Sequence, residues 1–154
     1  MSHIPVDIDD GENIVRFILT PWHIKGGSKT VKRQAFKPKA GNDELSVIRH
    51  TYMGSDFCKQ KGKAFAVALP KESYCGLANI SPIGIKECGS NVFDSREEFL
   101  GHAHISHGIF AQNDQPLTSQ ENERLDQKLN CMISKAAYYA DPNPEADDWQ
   151  GDVF

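Results

Sequence analysis

A chain of 154 residues with 39% hydrophobic and 25% charged side chains can build one core and is too apolar to stay disordered. Its longest apolar run, Ala64–Leu69, is far too short to cross a bilayer, and its first residues lack the basic start and apolar centre of an export signal. The net charge of −4 argues against a uniformly basic nucleic-acid domain, and the chain is expected to be cytoplasmic with no membrane contact.

Residues 1–12 read as a flexible, acidic N-terminus. Glu12–Leu19 is rich in β-branched and aromatic residues and predicts a strand, ended by Thr20-Pro21. After the turn Gly26-Gly27-Ser28, Thr30–Phe36 predicts a second strand, stopped before Pro38. Glu44–Met53 predicts a third, with Leu45, Val47, Arg49 and Thr51 on one face and Ser46, Ile48, His50 and Tyr52 on the other. Ser55 caps a short helix through Phe57, Cys58 and Lys61, and Lys63–Leu69 is either its end or a buried strand. Tyr74–Ile80 predicts a strand, Ser81-Pro82 opens a brief helix that Gly89 ends, and Asn91–Phe93 is extended. Phe99–Phe110 is at least partly strand. Thr118-x-x-Glu121 is a capping box, followed by the stripe Leu125, Leu129, Met132, Ile133, Ala136, Ala137 and Ala140 at helical spacing, with Pro142 and Pro144 as stops. The sum is a single α+β domain over 13–141: a mostly antiparallel sheet, one long C-terminal helix packed on it, and one or two short helices. Residues 142–154 form an acidic tail with an aromatic end.

Cys58, Cys75, Cys88 and Cys131 contain no Cys-x-x-Cys pair and do not have zinc-finger spacing. They are expected to be reduced and mostly buried, with Cys131 a packing residue. Charge is polarised: Lys25 to Lys39 holds six bases and no acid, and Asp141 to Asp152 holds five acids and no base. The first segment, with Lys32 and Arg33, is a candidate for contacting phosphate or nucleic acid, unless the two segments neutralise each other.

The densest chemistry lies in Gly101-His-Ala-His-Ile-Ser-His-Gly108, where His102, His104 and His107 make up half of the chain's six histidines. The run resembles the His-x-His-x-Asp-His motif of the metallo-β-lactamase fold, but Ser106 replaces the Asp and the chain is too short for that fold. His102 and His104 would share a strand face and could hold a metal. No carboxylate lies inside the run, and no metal or other cofactor is expected. Metal-free proton transfer to a phosphate-bearing substrate is the other chemistry. A histidine would then carry the proton, and Arg49, His50, Arg16 or the Lys32-Arg33 pair would hold charge. The candidate catalytic set is Arg49, His102 and His104, with His50, His107, Lys32 and Arg33 as candidate ligand-binding residues. Against this stands the reading that the histidines are hydrogen-bonded structural residues.

Leu45, Ser46, Val47 and Arg49, then Gly76 and Ala78, then His102-Ala103 or His104-Ile105 with Gly108, then Ala136, Ala137 and Ala140 form a broader pattern over residues 44–141. In this the chain resembles a group of small bacterial proteins with no known activity. The resemblance implies a bacterial or phage origin and one α+β domain. Two jobs follow from the residues. The first is an accessory or binding protein that meets a protein partner through its long helix or its Trp149–Phe154 tail. The second is a small enzyme acting on RNA, a nucleotide or ADP-ribose, which requires Arg49 and a run histidine side by side in a pocket.

Overall fold

The computed structural model describes residues 3–154. Six strands, β1 (Ile14–Thr20), β2 (Leu45–Arg49), β3 (Ser73–Ile80), β4 (Asn91–Asp94), β5 (His102–Ser106) and β6 (Ala137–Ala140), form one antiparallel sheet. Their order is β4-β5-β2-β1-β3-β6. Helices α1 (His50–Val67), α2 (Pro82–Glu87) and α3 (Ser119–Lys135) and a 3-10 turn at Arg33–Phe36 complete an α+β domain, as the patterning predicts. None of these helices is long and apolar enough to cross a membrane.

Strand alternation separates two layers. On one face Ile14, Ile18, Leu45, Val47, Ala78, Ile80, Ala103 and Ile105 are buried with Leu125, Leu129 and Met132 of α3 and Ile85 of α2. On the other, Val15, Leu19, Ile48 and Leu77 pack with Cys58 and Ala66 of α1. This second layer is narrow. Helix α1 lies over β1 and β3 and only brushes β2, so the β2-β5-β4 end of the face is largely uncovered by helix.

Several elements differ from the sequence reading. Thr30–Phe36 is not a strand: Val31 makes one bridge with Ile24, and the chain then coils so that the consecutive residues Ala35 and Phe36 are both buried. A half-buried strand would bury alternate residues. The third strand stops at Arg49. His50–Met53 forms a helical turn, and Gly54 (φ 83°, a conformation that favours glycine) joins it to the helix that runs on to Val67. Lys63–Val67 is therefore helix. The last helix ends at Lys135, and Ala137–Ala140 becomes β6 at the sheet edge. The glycine opposite Ala140 makes this possible: a Cβ on Gly76 would strike the Tyr139 carbonyl and the Tyr138 ring.

Within the described residues, both end segments make contacts with the body of the domain. Residues 1 and 2 lie outside the described part, but Ile4 and Glu12 are buried and the carbonyls of Pro5 and Asp7 bind Arg49. The acidic tail folds back. Buried Lys59 donates from Nζ to the Asn143 and Asp148 carbonyls at 2.8 and 2.7 Å and pairs with Asp141 Oδ2 at 3.0 Å. Phe154 stacks on His50 and Tyr139 with ring centres 4.3 and 4.2 Å away. Cys88 and Cys131, expected as thiols, form a disulfide between the end of α2 and α3. The two helices meet on one side of the sheet, which a separation of 43 residues does not reveal. Cys58 and Cys75 are free, and burial pushes the Cys58 thiol up to about 12, keeping it protonated.

Candidate functional site

Strands β1 and β2 pair only at Ile14–Arg49 and Val15–Ile48 and then part. Beyond the fork β1 stays with β3 and β2 stays with β5. The Arg16 guanidinium spans the gap, with Nε donating to the Ala35 carbonyl and Nη1 to the Ser46 carbonyl, both at 2.9 Å. It thereby satisfies a β2 carbonyl that would otherwise have lost its ladder partner. Nη2 has no hydrogen-bond partner among the described residues, and no carboxylate there pairs with Arg16. Partial burial lowers the Arg16 pKa to about 10, so it remains a cation at neutral pH.

A cleft of about 700 Å³ opens at this fork, between β2, helix α1 and the loop from Gln34 to Glu44. Arg16, Lys37, Lys39 and Lys61 bring four cations to its walls, against the carboxylates of Glu44 and Glu98. Phe17, Trp22, Phe65 and Phe99 supply aromatic surface. Lys61 Nζ sits 4.0 Å from the centre of the Phe99 ring, and Phe65 is 41% exposed, so the aromatic rim is accessible.

The structure distributes the predicted residues unevenly. His102 lines this cleft. Its Nδ1 faces Ser95, 2.6 Å from Oγ and 3.3 Å from the carbonyl oxygen, while Nε2 has no partner among the described residues. Burial lowers its pKa, so the ring is neutral at pH 7. His104 shares the face of His102 but lies outside the cleft, against Phe93.

Arg49 is not in the cleft. It points to the opposite face of the sheet from His102, fully buried, with Nε and Nη2 on the two Glu12 oxygens at 2.9 and 2.7 Å. Its Nη1 pairs with Asp94 Oδ2 at 2.7 Å, and the Pro5 and Asp7 carbonyls accept the remaining hydrogens. A guanidinium so engaged has no donor left for a ligand. The expected meeting of Arg49 with a run histidine therefore does not occur.

His107 is buried and structural, with Nε2 donating to the Phe36 carbonyl and Nδ1 accepting from Ser90 Oγ, both at 2.8 Å. His50 bonds Ser55 Oγ at 2.7 Å beneath Phe154. Lys32 donates to the Pro21 carbonyl, and Arg33 makes a surface pair with Asp126. The tail aromatics that a partner was expected to grasp are occupied within the chain. Among the described residues no group of three or more His, Cys, Asp or Glu side chains is placed to hold a metal ion.

Arg16 was visible in the sequence as one of several cations, and Lys37 and Lys39 as members of a basic segment. Lys61, Phe65 and Phe99 gave no local signal, because only the packing of α1 and of the 95–101 loop brings them to the cleft. No protein-family model, curated protein or solved structure matches the chain.

Proposed function

We propose that the cleft at the β1–β2 fork binds a phosphate-bearing ligand of nucleotide size. The observation that carries this is Arg16, a partly buried cation with an idle Nη2 and no carboxylate partner, set in a cleft whose other charges are mostly positive. An unpaired charge away from water is unfavourable, and an arriving phosphate relieves it through the planar fork of the guanidinium. Lys37, Lys39 and Lys61 add charge at the walls, and the aromatic rim offers a surface for a flat ring. The volume falls within the range of small-molecule sites. His102 is the histidine positioned to touch such a ligand; Arg49 and His107 serve the fold.

Calorimetric titration with adenosine, AMP and ADP tests the reading. Both phosphates are expected to bind at least tenfold (about 1.4 kcal/mol) better than the nucleoside, and less well as salt rises. Arg16→Gln should abolish binding. Because Arg16 also ties two carbonyls, the wall variants Lys37→Glu and Lys61→Glu serve as a second arm, and each should weaken phosphate binding about tenfold in a folded protein. Absence of binding to the native protein, or unchanged affinity in the wall variants, overturns the assignment.

A further inference from the structure

The open half of the sheet continues the cleft in one direction. Register places Ser46 opposite His104 and His104 opposite Phe93, so these three residues form a row across β2, β5 and β4 on one face. That face also carries His102; the cleft is lined from both faces at the fork and reaches this one through Ser46, Ile48 and His102, while α1 covers mainly its β1 and β3 part. Ser46 belongs to the cleft and to the row at once. At the far end Phe93 is 50% exposed, and its ring centre lies 5.6 Å from that of His104. His104 is half-buried, and its Nδ1 is buried without a hydrogen-bond partner among the described residues.

We infer that the ligand is a single strand of nucleic acid: one nucleotide occupies the cleft, and its neighbours lie along the Ser46–His104–Phe93 row. The inference rests on the phosphate reading above. Two strand spacings make the row about 10 Å long, and aromatic residues on an open antiparallel sheet are a recurrent way of stacking two or three unpaired bases. The charges fit this direction of binding. Arg16, Lys37, Lys39 and Lys61 gather at the cleft end, where phosphates must be held, and the row itself contains no lysine, arginine or carboxylate. Asp43, which lies near the row in sequence, is spent on the Ser106 hydroxyl and the His107 and Gly108 amides. Glu44 and Glu98 oppose phosphate but can accept from the amino group of a base. Duplex nucleic acid is excluded by this geometry, because its bases are already stacked and paired.

The test compares AMP with single strands of roughly eight nucleotides, one of RNA and one of DNA, and with the RNA duplex. Calorimetry or fluorescence anisotropy on the full chain gives the affinities. At least one single strand should bind tenfold or more tightly than AMP, and the duplex should not compete. The RNA and DNA arms then identify the sugar. The double variant Phe93→Ala/His104→Ala, at one exposed and one half-buried position outside the cleft, should remove the gain with length and leave AMP binding unchanged. Equal affinity for AMP and both strands, or a gain that survives the double variant, overturns the strand while leaving the cleft intact. Absence of binding by AMP and strand alike overturns both.

Discussion

Arg16 and Arg49 lie on adjacent strands and have opposite surroundings. Arg49 is held by Glu12, Asp94 and two carbonyls, whereas Arg16 meets only carbonyls. Removing the first should damage the fold and removing the second should damage binding. Arg49→Met leaves Glu12 as a buried carboxylate without a counter-charge and Asp94 with Arg96 alone, a loss of about 3–5 kcal/mol that urea unfolding would register. The same site predicts acid sensitivity. Burial alone would raise the Asp94 pKa, but hydrogen bonds from Arg96 and Arg49 outweigh it and hold the carboxyl below its ordinary range. Its contribution is then complete above the unfolded value of about 4 and lost as pH falls through the lower folded one. Arg49→Met should flatten that part of the profile; an unchanged slope in acid would refute the pairing.

Among the elements, the joint between β2 and α1 is the most exacting. Gly101, at φ 93°, sits against Met53, and a Cβ there would collide with the Met53 side chain. The Arg49 amide also donates to the Gly101 carbonyl at 2.8 Å. Gly101→Ala combines an unfavourable backbone with a steric clash and should cost about 1–3 kcal/mol. Thermal unfolding checks this, and wild-type stability in the variant would show that the turn is looser than described.

The same joint shows where sequence reading fails. Local signals carried their own geometry: Ser81 caps α2 by accepting from the Gly84 amide, and Thr118 and Glu121 complete the capping box of α3. The strand pattern of β2 ran on to Met53 because alternation cannot register that Arg49 turns inward to distant Glu12 and Asp94. The alanines after Lys135 fit a helix face as well as they fit β6, and only Gly76 on the neighbouring strand decides between them. His102 was legible as a candidate; its cleft was not, because the cleft exists only where β1 and β2 part.

For the whole molecule, two ties close the chain on itself. The tail is anchored by Lys59 in its core, and the Cys88–Cys131 bridge closes a loop of 43 residues. A loop of that length adds about 4 kcal/mol on the chain-entropy account. Reducing agent should therefore lower the unfolding midpoint. Thiol titration of unreduced, denatured protein should find Cys58 and Cys75 but not the other pair; reaction at all four would disprove the bridge.

The sheet ends on both sides in strands of only four residues, β4 and β6. Each offers a second copy too few free amides and carbonyls to extend a cross-β array. The molecule thus keeps a broad bare sheet surface without becoming a template for filaments, and stickiness at that surface is confined to its side chains.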